Sequence, residues 1–304
     1  MDSPASDGRG EPRVGRGAAA GSSYVHGYEA RTVAAMAART AEREAAFLLP
    51  HLRPGMRLLD AGCGPGTITL GLAAAVAPGE VVGLELSPAM VERARVLASE
   101  RGVPNVRFEV GDLLALPFPD ASFDAAFESA VLEHVPDPAR AVRELRRVLR
   151  PGGVVGLRDG DFGAGGVGGA VVSVPVDALV EEAYALYVRL WRHKGGDPCL
   201  GRRHRTLLHE AGFAPVEAGA TAMAVGTAEA ARRAGEAMAR HFIDEGAGSE
   251  MLALGWVDRA RLEALAAALR AWGEDPRAFR ASFWCTAVGW VPGAAADDPP
   301  PVGT

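Results

Sequence analysis

Apolar positions along the chain follow two alternating rhythms. Short runs of strand type occupy residues 57–61, 80–86, 106–110, 123–128 and 154–158, with segments of helical spacing at 67–77, 88–101 and 138–149. Residues 29–49 carry Ala, Val, Met, Phe and Leu at helical spacing up to Pro50, so a helix precedes the first strand. Ser87 and Pro88 read as the N-cap and first position of the 88–101 helix. "RPGG" at 150–153 reads as the turn into the strand that follows. Such alternation predicts an α/β chain, a Rossmann-like, doubly wound, mostly parallel sheet with helices on both faces.

Past residue 160 the rhythm loosens. Helices are predicted at 177–193 and 202–211, a strand at 215–225, helices at 227–244 and 258–272, and a last strand at 281–291. The helices between the final two strands form an insertion over about 227–272. An insertion beside a binding crevice serves as a lid, so Met238, Phe242 and Leu262 are expected to face substrate. Residues 1–22 and 294–304 have the composition of disordered tails, which leaves 23–293 as one domain.

Composition narrows the partners. The net charge of −6 gives no electrostatic reason to expect nucleic acid or an anionic membrane. Cys63, Cys199 and Cys285 are odd in number and far apart, which argues for a reducing, cytoplasmic compartment and against a metal site. Residues 1–22 hold no apolar stretch of secretory type, and the uncharged run at 162–176 is too short to span a bilayer. Lys194 is the one lysine among many arginines, a bias of GC-rich, bacterial coding rather than of function.

The chemistry begins at "LLDAGCGPGTITLGLA", residues 58–73. Gly62, Gly64 and Gly66 form a turn between strand and helix, where backbone approaches a ligand closely. Asp60 stands two positions before the first glycine. A carboxylate there repels pyrophosphate by roughly 1 kcal/mol through water and by more when partly buried. It suits instead a ligand with positive charge and no phosphate. S-adenosylmethionine, with its ammonium and sulfonium, is such a ligand; NAD is not, and the turn at 62–67 does not read G-x-G-x-x-G. Glu85 ends the second strand about 20 residues on, where an acid binds ribose hydroxyls. Asp112, in "GDLLALPF" after the third strand, is placed to accept from an adenine amino group.

With "FDAAFESAVLEHVPDPARAVRELRRVLRPGG" following, residues 56–160 resemble the class I S-adenosylmethionine-dependent methyltransferases. The style is that of the small-molecule branch that includes quinone-biosynthesis methyltransferases. The resemblance implies a seven-stranded sheet with its last strand antiparallel. It also implies that Asp60 and the backbone of Ala61, Gly62, Cys63, Gly64 and Gly66 hold the methionine portion. Glu85 would bind ribose, Leu86 would lie against adenine, and Gly111, Asp112 and Leu113 would fix the adenine edge. Glu128 and Ser129 would border the methionine amine.

The candidate catalytic residues are His134, just past the fourth strand, and Asp159, just past the fifth. His134 has a second reading as a structural turn residue. Asp161 with Asp159 is a candidate for a substrate amine, and Tyr24 and Tyr28 are pocket candidates if their segment folds over the cofactor. His204 and His209, on a polar helix, read as surface residues. The expected activity is methyl transfer to an O, N or C atom of a small metabolite of secondary metabolism. The partner is a small molecule, and no metal is called for. Two rivals share the cofactor: a natural-product cyclase that leaves the methyl in place, and an RNA methyltransferase. Against the second stand the absence of an N-P-P-[YF]-type sequence and of a basic stripe.

Overall fold

In the computed structural model the described residues are 30–163, 171–243 and 246–293. Tyr24 and Tyr28 lie outside them, as do both expected tails. The sheet is built first from β1 (Leu58–Ala61), β2 (Val81–Glu85), β3 (Val106–Val110), β4 (Phe123–Ser129) and β5 (Leu149–Asp161). It is completed by β6 (Val172–Val174), β7 (Val216–Val225) and β8 (Phe279–Trp290). The order is β3-β2-β1-β4-β5-β8, and β1 to β5 run parallel. β8 runs antiparallel to β5 and to β7, as the resemblance implied. β1 and β2 are buried at every position, the mark of strands covered on both faces.

Among the described residues eight strands form where seven were expected. The extra one, β6, occupies only three residues and pairs with Ala281, Arg280 and Phe279 of β8. It takes up the edge of β8 at the point where β5, whose pairing ends at Phe283, leaves it. "RPGG" also belongs to a strand: β5 starts at Leu149, with Gly152 in the left-handed region.

One face of the sheet carries α2 (Ala41–Glu44) and α3 (Thr67–Val76), the first of these following α1 (Ala30–Ala37). Ala41, Ala45, Leu48, Leu72, Ala73 and Val76 pack there on Leu58, Val81, Phe127 and Val154. α4 (Pro88–Arg101) covers Phe108 through Val91, Ala94 and Ala98. Ser87 precedes α4 without a side-chain cap, its own N–H donating to Glu85 Oε1 at 2.9 Å. The other face carries α5 (Pro138–Val148) and α7 (His204–Glu210), which bury Val142, Leu145, Leu207 and Leu208. Asp137 caps α5 by accepting from Arg140 N at 2.9 Å.

The single helix expected over 29–49 is broken. α1 stops at Ala37, Thr40 is extended, and a single turn of α2 follows. The break serves two contacts. Thr67 Oγ1 donates to Met36 O at 3.3 Å, laying α1 over the glycine turn, and Ala41 packs against Gly71, where a Cβ would come within 2.6 Å.

Among the described residues the insertion contains three helices rather than two: α8 (Ala228–Ile243), α9 (Gly246–Ala253) and α10 (Arg259–Glu274). They pack with α6 (Ala178–His193) around a core of their own that includes Trp191, Phe242, Met251, Leu262, Leu269 and Trp272. Phe242 and Leu262 are fully buried in that layer, and Met238 packs against it, so none of the three faces the cavity described below. No helix among the described residues is long and apolar enough to cross a membrane.

Candidate active site

A cavity of about 670 Å³ opens at the carboxyl edge of β1, β2 and β4, where ligands bind in open α/β sheets. Its floor is the glycine turn. Gly62 has φ +81°, and a Cβ there would collide with the Val131 side chain. Gly64 has φ +52° and faces open space, with only Met36 Sδ at 4.0 Å from the position of a Cβ. Backbone is therefore laid bare at Gly62 and Gly64, as the sequence reading required.

Glu85 stands at the end of β2 and is held from below. Its Oε2 accepts from Gly64 N at 3.1 Å and its Oε1 from Ser87 N at 2.9 Å. Leu86 is 64% exposed, an apolar side chain at the rim of the wall it lines. Gly111, Asp112 and Leu113 close this end, Asp112 exposed and accepting from Leu114 N at 2.8 Å. At the other end the wall is Ser129, Ala130, Val131, His134 and Val135. Ala130 adopts φ +59°, a conformation that non-glycine residues seldom take and that recurs beside functional sites. The turn it makes brings Ser129 and Val131 to the cavity.

Other expected contacts fall elsewhere. Asp60 is buried behind the turn, accepting from Thr69 Oγ1 at 2.6 Å; burial, with the Glu85 charge adding, raises its pKa to about 7. Ala61 and Gly66 also sit behind the lining. Cys63 does line it, and burial holds its thiol well above the ordinary range, which keeps it protonated.

Glu128 points into the protein, away from the cavity. Its oxygens accept from the N–H groups of Arg158 (3.0 Å), Val131 (3.3 Å) and Leu132 (3.4 Å). Burial and the neighbouring Asp159 push its carboxyl well above the usual range.

Asp159 is fully buried as well. It accepts from Glu133 N at 3.2 Å and lies 2.7 Å from His204 Nε2. The expectation that His204 is a surface residue is thus reversed: it is 1% exposed, while His209 is exposed. Glu128, Asp159 and His204 bring three ligand-type atoms within 4.8 Å of one another, a grouping that spacing along the chain could not reveal. Asp161 is held in two hydrogen bonds by Arg202, at 2.6 and 2.7 Å. Neither aspartate lines the cavity.

His134 does. Its ring stacks on Trp191 with centroids 4.8 Å apart and planes 4° from parallel. Its Nε2 lies 3.6 Å from Glu133 Oε1, and Glu133 is itself anchored, Oε2 accepting from Gly160 N at 2.9 Å and its carbonyl from Trp191 Nε1 at 3.1 Å. Burial and Asp159 also hold the Glu133 carboxyl well above its usual range. Through Trp191 the helical layer of α6 reaches the cavity wall.

A doubly wound sheet with a cavity at its carboxyl edge, floored by a glycine turn and rimmed by carboxylates, is the architecture of a nucleoside-cofactor site. Residues 59–157 match the methyltransferase domain model. Among relatives, a probable methyltransferase of Aspergillus luteorubrus is 40% identical over 145 residues, 45% of this chain and 51% of its own. The 27-O-demethylrifamycin SV methyltransferase of Amycolatopsis mediterranei is 42% identical over 146 residues, 47% of this chain and 52% of its own. The chain thus spans about half the length of the curated relatives it matches. Among solved structures, that of the cyclase SpnF is similar with 25% identity and a TM-score of 0.50, covering 87% of this chain and 82% of that one.

The cofactor of this domain is S-adenosylmethionine, and the donor set fits it. Two carboxylates at one end match hydroxyl and amino donors, and the bare backbone of the turn leaves room for the methionine portion.

Proposed function

We propose that the protein transfers a methyl group from S-adenosylmethionine to an O, N or C atom of a small, largely apolar metabolite. One observation carries this reading. A single cavity runs from the Glu85 and Asp112 rim, across the Gly62–Gly64 floor, to an apolar end closed by Val131, His134 and Val135. Glu85 receives the ribose hydroxyls, Leu86 covers the adenine face, and Gly111, Asp112 and Leu113 fix its edge. Gly62, Cys63, Gly64 and Ser129 border the methionine portion.

The cofactor, when bound, supplies a methyl carbon already activated by the sulfonium. What remains for the chain is to align acceptor and methyl, to exclude water, and to take a proton from acceptors of high pKa. His134 is the side chain for that proton. It faces the cavity, and the stacked Trp191 and the nearby Glu133 fix its ring. Asp159, buried beneath it, has no route to substrate.

The likeness to the cyclase SpnF supports a second reading, in which the cofactor is bound and the methyl stays in place. Incubation with methyl-labelled cofactor and a metabolite extract separates the two. Label in a small molecule is expected. Conversion without label favours the cyclase reading, and label in RNA or protein alone overturns the small-molecule claim.

A further inference from the structure

β8 begins beyond the carboxyl edge of the sheet. Its pairing with β5 covers Phe283 to Trp290, and the residues before Phe283 lie between β6 and β7 instead. Side chains alternate along a strand, so Arg280, Ser282 and Trp284 share one face of β8. Ser173 of β6, directly opposite Arg280 in register, joins them. The opposite face carries Phe279, Phe283, Val172 and Val174, all exposed. The face of Arg280 is the inner one, turned to α6.

Two polar atoms on that inner face lack a partner. Arg280 Nε and Ser173 Oγ are both sealed from solvent, and neither has a hydrogen-bond partner among the described residues. The Arg280 guanidinium meets instead the ring of Tyr184 on α6, 3.6 Å from its Cζ. Stacking engages the flat face of the guanidinium and leaves its in-plane N–H groups unspent. The charge of Glu181, one turn before Tyr184, acts on Arg280, but no ion pair to Arg280 forms among the described residues. A cationic fork and a hydroxyl thus stand side by side and want one acceptor between them.

This inner face runs on into the cavity. Trp284 is four residues along β8 from Arg280, about 13 Å at the rise of a strand. Over its ring, at 5.9 Å, lies Arg39 of the cavity wall. From Trp284 a row of rings leads to His134: Phe162 at 5.6 Å, Trp191 5.9 Å beyond it, and His134 stacked on Trp191. An apolar stretch therefore separates the unpartnered cation from the imidazole. Arg39 stands beside the glycine floor and is left to the cofactor's methionine portion.

We propose that Arg280 and Ser173 bind a carboxylate carried at the far end of an elongated, apolar acceptor substrate. This rests on the methyltransferase reading and deepens it. One carboxylate oxygen accepts from Arg280 Nε and the other from a terminal guanidinium N–H, while Ser173 Oγ donates to either. The row of rings takes the apolar body, and the anchored acid sets how far the reacting atom reaches toward His134.

The test uses the full chain with saturating methyl-labelled S-adenosylmethionine and a metabolite extract, and octanoate and octanamide as competing probes. The labelled small molecule should be retained on an anion exchanger, because the carboxylate held at Arg280 takes no methyl. Octanoate should suppress labelling at about 10-fold lower concentration than octanamide, the scale of one charge-assisted hydrogen-bonded pair. Arg280→Gln should abolish that difference and leave S-adenosylhomocysteine affinity unchanged, and Arg280→Lys should keep part of the difference. Should Arg280→Gln fail to fold, Ser173→Ala replaces it, with a smaller loss of the same difference expected. Equal suppression by acid and amide in the native chain overturns the proposal and leaves Arg280 as a clip on α6. A difference that survives in Arg280→Gln, or in Ser173→Ala where that replaces it, overturns it too. A labelled small molecule that is neutral or cationic fells this proposal alone. No label in any small molecule fells the methyltransferase reading and this one with it.

Discussion

His204 Nε2 lies 2.7 Å from Asp159 Oδ2, and both side chains are sealed from solvent. The pair joins α7 to β5 beneath the 131–135 turn, because Asp159 also accepts from Glu133 N. Removing the imidazole leaves Asp159 and the adjoining Glu128 in an apolar space with fewer hydrogen bonds. His204→Ala should cost about 2–4 kcal/mol of stability. His204→Gln, which keeps a donor, should recover part of it. Urea unfolding midpoints at unchanged slope give the measurement, and a loss below about 1 kcal/mol would contradict this account.

Glu85 is fixed by Gly64 N and Ser87 N before any ligand arrives, so its carboxylate is pre-oriented toward the cavity. Glu85→Ala should lower S-adenosylhomocysteine affinity by about 1.5–3 kcal/mol, the range for hydrogen bonds to a charged acceptor. Glu85→Gln should fall between, because an amide cannot accept from both backbone donors. Calorimetric titration decides, and an unchanged affinity in Glu85→Ala would remove the ribose role.

Asp60 makes stability depend on pH with a definite sign. Burial raises its pKa from 3.8 to about 7 in the folded chain. Between those values the folded state keeps a proton that the unfolded state has released, so stability falls as pH rises through the window, by up to about 1.4 kcal/mol per pH unit. Asp60→Asn accepts from Thr69 Oγ1 as before and titrates nothing, so its stability should fall less steeply from pH ~4 to ~7. Glu128 and Glu133 act in the same direction and keep the remaining slope from vanishing. Parallel slopes for variant and native chain would show that Asp60 ionises normally.

Much of this arrangement was legible because apolar period encodes it. β3 falls on the five residues predicted, 106–110, and α5 on 138–148 against a predicted 138–149. The glycine turn, Glu85 and Asp112 were legible because each sits at a strand end whose direction the alternation fixes. Glu128 was misplaced by one residue's worth of geometry. Neighbours in a strand face opposite sides, so with Ser129 at the cavity Glu128 turns inward. Val172–Val174 was hidden because three residues in a glycine-rich stretch carry no measurable period. The break at Thr40 left no trace either, since apolar spacing continues across it; the contacts that impose it, Met36 on Thr67 and Ala41 on Gly71, are tertiary. The same applies to His204, 45 residues from its partner Asp159.

The ring of His134 is held between two constraints, and each can be removed separately. Trp191 stacks on it at 4.8 Å, while Glu133 Oε1 stands 3.6 Å from Nε2. If His134 takes the acceptor's proton, His134→Ala should lower turnover about 10²–10⁴-fold, with recovery at higher pH where the acceptor ionises unaided. S-adenosylhomocysteine affinity should stay within a few-fold, since Glu85 and Asp112 lie at the other end of the cavity. Trp191→Leu keeps bulk in the layer below but removes the flat surface, so the imidazole remains present and loses its fixed orientation. Turnover should then fall by about 10-fold or more with the pH profile unchanged in shape, because misplacement costs alignment and leaves the base in place. His134→Ala with turnover near native and no pH-dependent rescue would mean that alignment alone carries the reaction, and that His134 is a turn residue.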